Sequence, residues 1–314
     1  MKQNSEKTVN ANPWAKNIPY NRYFDFIAQK ADRYNILLDC INTHKLNSVV
    51  VSLEGNRHIF IFPPGKKLPR IAGGVFPFKN ESPYLFSAHY DRVDGSPGAN
   101  DNSIAVFHLL SAALYFVRQK INNWIIVFTD KEEIKAGESF EAQGSFSLGE
   151  KLKSWGLEKV KIFNFDACGS GDTFIFSTTT DHILKNNKLP NISKVRNAIL
   201  DLRDHALATA LNLRLEKFLL APTPFSDDAG FLRAGIAALT VTVLPAKEAL
   251  AYEALLRSRP EFTDLIISGK VKEPQEYRNL PETWRNLNNA KDTSCRLTPQ
   301  FFNMVLQFVI ELCK

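Results

Sequence analysis

The chain of 314 residues has no run of the roughly 18 apolar residues that a membrane helix needs, so a spanning segment and a membrane partner are not expected. Cysteine is scarce. Cys40, Cys168, Cys295 and Cys313 are scattered without C-x-x-C spacing, which excludes a zinc-knuckle pattern and reads as buried free thiols in a reducing compartment. The opening MKQNSEKTVNANPWAKN has no apolar segment after its lysine, so a secretory leader is not expected. With Met at position 1, the chain reads as cytoplasmic. Net charge is +6 and the pI near 9.0, yet the densest basic stretch, Lys66-Lys67 to Arg70, lacks interleaved aromatics. It reads as solvated surface, and nucleic acid is not an expected partner. There is no internal repeat and no long linker, and the sequence leaves the oligomeric state open.

What is present is ordinary for a globular chain, with 44% hydrophobic and 23% charged residues, and Phe is heavily used at 23 positions. Residues 1–20 are polar, contain Pro13 and Pro19, and read as a tail or strap. Phe24, Ile27, Ala31, Tyr34, Leu38 and Ile41 recur at helical spacing, which predicts one amphipathic helix within 21–46. Val49–Leu53 and His58–Phe62 flank Gly55-Asn56 as a hairpin. Apolar strands are predicted at Tyr84–Ala88, Trp124–Phe128, Val160–Phe165, Thr173–Ser177 and Ala237–Leu244. Helices are predicted at Ile104–Val117, Leu148–Trp155, 194–213 and after Thr298-Pro299. Continuous apolar strands alternating with helices indicate an α/β fold, a central mostly parallel mixed sheet with helices on both faces.

The chemistry gathers where predicted strands end, the edge at which open α/β sheets place ligands. One strand runs into His89-Tyr90-Asp91, a second into Asp130-Lys131-Glu132-Glu133, and a third into Asp166. Asp101 adds a carboxylate in the Gly-flanked loop before the buried helix. One His with several carboxylates suits Zn²⁺ or a similar divalent ion, and such carboxylates would be costly to bury together without a cation. His108 reads as a core residue, and His44, His58, His182 and His205 read as surface.

SAHYDRVDGSPGANDNSIAV (87–106), FTDKEE (128–133) and NFDACGSGDT (164–173) resemble, in order, the metal-binding stretches of M28-family metallopeptidases. FSDDAGFLRAGIAA (225–238) and WRNLNNAKDT (284–293) resemble two later stretches of that family. The resemblance implies a single α/β metallopeptidase domain over 21–314 acting on peptides, most simply as an aminopeptidase. It implies that His89 and Asp166 hold one metal, that Asp101 bridges two, and that Glu133 holds the second. Glu132 would be the general base, and Asp91 would orient His89. Glu132 and Glu133 would do different work because neighbouring side chains in extended backbone point opposite ways.

The chain departs from the family pattern at Asn288, where the resemblance calls for His, and no His follows His205. One tight zinc site and a weak or absent second metal are therefore expected. Asn288 and Asp228 are candidates for a weak metal or substrate contact, and Asp228 equally for capping the helix that follows. Two other functions stay open: a catalytically weak or inactive domain of the same kind that binds peptides or a partner, and a glutaminyl-cyclase-like acyl transferase.

Overall fold

A computed structural model describes residues 13–66, 82–135, 137–186, 192–267 and 274–314. Lys67 to Arg70 and residues 1–12 of the proposed tail lie outside the described residues. The eight strands are β1 (Asn47–Leu53), β2 (Asn56–Phe62), β3 (Tyr84–His89), β4 (Trp124–Thr129), β5 (Lys161–Phe165), β6 (Thr173–Ser177), β7 (Phe218–Ala221) and β8 (Ala238–Leu244). They form one sheet in the order β1-β2-β4-β3-β5-β8-β6-β7. The central pairs β4·β3, β3·β5 and β5·β8 are parallel, whereas β1·β2, β2·β4 and β6·β8 are antiparallel. The sheet is thus the mixed α/β arrangement that the apolar strands imply.

The helices among the described residues are α1 (Tyr23–Ile27), α2 (Arg33–Thr43), α3 (Ile104–Arg118), α4 (Gly144–Ser154), α5 (Thr179–Asn186), α6 (Ile192–Asn212), α7 (Asp227–Arg233), α8 (Ala246–Ser258), α9 (Phe262–Ile267), α10 (Pro274–Tyr277), α11 (Glu282–Arg285) and α12 (Phe302–Leu312). The pleat sorts strand residues onto two layers. Phe86, Ile126, Phe128, Phe163 and Phe165 pack with α3 and α12 on one face. Leu85, Ile125, Val127 and Ile162 pack with Leu148 and Leu152 of α4 and Phe231 of α7 on the other. Both faces are buried, which is why the apolar residues of these strands run on successive rather than alternate positions.

The single helix expected within 21–46 is two. The chain leaves helical geometry after Ile27, passes a positive φ of 59° at Lys30, and restarts where Asp32 accepts the backbone N–H of Asn35. Trp14, in the part of the proposed strap that is described, packs edge-on against Tyr23 and Phe302. His108 is buried and its Nδ1 lies 2.7 Å from the Tyr20 hydroxyl. His58 is fully buried beneath the β4 end rather than on the surface, and burial lowers its pKa to about 4. Cys40, Cys168 and Cys313 are buried free thiols, but Cys295 is exposed. No helix among the described residues is long and apolar enough to cross a membrane.

Candidate metal centre

Because β4, β3, β5 and β8 run parallel, their carboxyl ends lie on one edge, and His89 sits beside Thr129 in the register. His89 is the last residue of β3 and is fully buried. Its Nε2 lies 3.1 Å from Asp101 Oδ1 and 3.7 Å from Asp166 Oδ1, and its Nδ1 lies 3.4 Å from Asp91 Oδ1. Two groups of donor atoms share this imidazole. In each of His89/Asp101/Asp166 and His89/Glu132/Glu133, one ligand atom per residue falls within 4.8 Å of the others.

Local structure explains the convergence. Asp101 lies in a short non-α turn before α3, with φ −112° and ψ 92°, and its peptide bond to Asn102 is cis. The Asn102 side chain donates to the Phe165 carbonyl at 2.8 Å and accepts the Ala167 N–H at 3.3 Å, so it grips the backbone on both sides of Asp166. Asp292 accepts the N–H groups of Asn100 and Asp101 at 2.8 and 3.0 Å. Asp91 accepts the N–H groups of Glu132 and Glu133 at 3.2 and 3.0 Å. Gln143 donates to Glu132 Oε1 at 3.0 Å, and Thr129 donates to the buried Asp227 at 2.5 Å.

Glu132 and Glu133 do not diverge as extended neighbours would. The chain has left β4 and turned at Lys131, whose φ is 61°, so both carboxylates reach the His89 cluster. Asn288 is exposed, has a φ of 59°, and lines the same cavity as Asp101, Glu132 and Asp166, a space of about 410 Å³. Asp228 is fully buried in the first turn of α7 and is not among the lining residues; the cap of that helix is Ser226, not Asp228. Asn102, Asp227 and Asp292 stand inside the motif-like stretches quoted above but carried no assigned role, and Gln143 lies outside them.

Charge in this cluster is unbalanced. Burial, and then the Asp101 charge, push Glu133 up to about 9. Burial and the neighbouring carboxylates raise Glu132 well above the carboxylate range against the pull of His89. Asp101 is raised by burial and by Asp166. Burial pulls the His89 pKa down, but the carboxylates of Asp101, Asp166 and Asp91 outweigh it and hold it well above its ordinary value. One imidazole thus serves as the local counter-charge for several acids. Glu133 Oε1 and Asp166 Oδ1 are buried without a hydrogen-bond partner among the described residues. A nitrogen donor, converging carboxylate oxygens and unpartnered buried lone pairs fit a divalent cation.

Fold and cluster together define a class, an α/β domain with a candidate metal centre on the carboxyl edge of its sheet. The chain belongs to peptidase family M28, whose profile matches residues 74–295. A protein of Schizosaccharomyces pombe provisionally named endoplasmic reticulum metallopeptidase 1 is 28% identical over 120 residues, which span 37% of this chain and 14% of that one. Among solved structures, the glutaminyl cyclase of Bacteroides thetaiotaomicron superposes with a TM-score of 0.60 at 14% identity, over 93% of this chain and 94% of that one. The glutaminyl cyclase of Porphyromonas gingivalis gives 0.59 at 16% identity over the same shares. The LapA aminopeptidase of Legionella pneumophila gives 0.56 at 13% identity, over 98% and 74%. These likenesses establish the shared fold.

Proposed function

We propose that the chain is a metal-dependent aminopeptidase in which His89, Asp101 and Asp166 hold the tighter metal, zinc. Asp101 and Glu133 would offer a second, weaker place. When bound, such an ion polarises a scissile carbonyl and acidifies water. Glu132 is the general base: its carboxylate lines the cavity, is raised in proton affinity, and is aimed by Gln143. It takes the proton of the attacking water and returns it to the departing amine. Asp91 fixes the ring of His89 from behind, so that Nε2 faces Asp101 and Asp166.

The observation that carries the reading is the composition of the cavity wall. Asp101, Glu132 and Asp166 share it with Phe225, Ile266, Leu280, Trp284 and Leu287, and no Lys or Arg is among the described lining residues. With Asp101 and Asp166 assigned to the metal, the described wall offers no side-chain cation of the kind a carboxypeptidase needs to hold the terminal carboxylate. The apolar wall gives an N-terminal side chain a surface to bury against.

The test is zinc-dependent release of arylamine from aminoacyl arylamides with free and acetylated N-termini. Only the free amine is expected to turn over, and Glu132→Gln should lower kcat by about 10²–10⁴-fold with zinc still bound. Ammonia release from a glutaminyl arylamide without arylamine release would point to a cyclase. Absence of any turnover with zinc bound would leave a peptide-binding domain.

A further inference from the structure

The loop that carries Asp101 is gripped from outside the segment that matches the family. Arg33, in the first turn of α2, is 6% exposed. Its Nη1 donates to the carbonyls of Tyr90 and Asp91, both at 3.1 Å. Its Nη2 donates to the carbonyls of Pro97 and Gly98 at 2.8 and 3.2 Å and to Ser103 Oγ at 2.7 Å. Tyr23 of α1, also fully buried, donates its hydroxyl to the next carbonyl, Ala99, at 2.8 Å. From the opposite side, Asp292 accepts the N–H groups of Asn100 and Asp101 on its carboxylate and that of Ala99 on its backbone oxygen. The turn has therefore lost its own freedom. Carbonyls face one partner set, N–H groups face the other, and Asp101 is presented between them.

Arg33 also joins two ligand-bearing segments. Tyr90 and Asp91 follow His89 directly, and 97–103 contains Asp101, so one planar guanidinium sets the spacing between the two. The approach is close enough to require glycine at 98. A Cβ there would stand 2.7 Å from Arg33 Nη2 and 2.7 Å from the Asp101 carbonyl oxygen, and the residue has a φ of 59°. Burying a guanidinium among carbonyls has a large desolvation cost, which lowers its pKa to about 10. A lysine has a single ammonium and cannot span two segments with a rigid fork.

We propose that Arg33, assisted by Tyr23, is a positioning residue that sets the distance between the His89 end of β3 and the Asp101 loop, and so fixes the metal affinity of the centre. The role rests on the metal-centre reading above. It makes α1 and α2, which precede the matched segment at residue 74, part of the working site.

The test uses the full chain and measures zinc affinity by competition with a chromophoric chelator, alongside the melting temperature of the metal-stripped protein. Arg33→Met and Arg33→Lys are expected to weaken zinc binding by about 10–100-fold, the range for residues that orient metal ligands. Tyr23→Phe, which keeps the packed ring and loses one hydrogen bond, is expected to weaken it by about 2–10-fold. A merely structural role would lower the melting temperature and leave zinc affinity unchanged. Wild-type zinc affinity in Arg33→Met, or in Tyr23→Phe where the arginine variants do not fold, overturns the proposal while the metal centre stands. A wild-type chain with no tight zinc removes the centre and the proposal together.

Discussion

Asp91 Oδ2 accepts the backbone N–H of Glu133 at 3.0 Å, while Oδ1 of the same carboxylate accepts that of Glu132 and faces His89 Nδ1. Burial pushes the Asp91 pKa up, but His89 and the two N–H groups outweigh it and hold it below the usual carboxylate range. One side chain therefore couples the end of β3 to the turn after β4, the two places that supply the imidazole and the paired glutamates. Asp91→Asn keeps the shape and turns one acceptor into a donor that faces an N–H or the imidazole. The expected outcome is zinc affinity lower by about 10–100-fold together with a lower kcat. A competition titration gives the first and arylamide kinetics the second; unchanged zinc affinity would detach Asp91 from the centre.

Asp228, buried just behind the cavity wall, offers a pH test. Burial drives its pKa up to about 7, although Thr240 and the Ser226 backbone pull it back in part. An acid whose folded pKa lies above its unfolded value of about 3.9 binds its proton more tightly in the native state, so its contribution to stability is complete at low pH and is lost as pH rises toward 7. Asp228→Asn removes that ionisation. Between pH 5 and 7 the variant should gain on the wild type by up to about 1.4 kcal/mol per pH unit, and it should be the more stable chain at pH 8. Urea denaturation at the two ends measures the gap, and a gap independent of pH would show that the carboxyl is ionised throughout.

The acids at strand ends were legible because a parallel sheet puts those ends on one edge, and His89, Glu132, Glu133 and Asp166 needed only strand boundaries to be placed there. Asp101 was legible through its Gly-flanked loop. Arg33 and Gln143 were not. Arg33 acts on oxygens 57–70 residues away, and Gln143 reaches back 11 residues to Glu132; no local pattern marks either contact. The break between α1 and α2 was hidden for a related reason: Phe26, Leu37 and Ile41 keep a buried face on both sides of it, so apolar periodicity runs across the turn. The convergence of Glu132 and Glu133 depends on the backbone at Lys131, which a non-glycine residue does not announce.

Asn288, where the sequence resemblance calls for His, has a position that gives it consequences. It is exposed and lines the same cavity as Asp101 and Asp166. An amide oxygen is uncharged and hard, while zinc favours nitrogen and sulfur donors. The second place is then left with Asp101, shared with the first, and with Glu133, whose pKa near 9 means that a proton competes for it at neutral pH. The expected stoichiometry is one tight zinc per chain, with a second ion bound weakly or lost during desalting. Asn288→His restores an imidazole at little backbone cost, because Asn and His are both among the residues tolerated at the positive φ of 59° found here. That variant should bind a second zinc, and the added cation should lower the proton affinity of Glu133, so the gain in metal should be larger at pH 8 than at pH 6. Elemental analysis after desalting, at both pH values, reads this directly. Two equally tight zinc ions in the wild type would refute the assignment and would mean that another donor completes the second shell around Glu133.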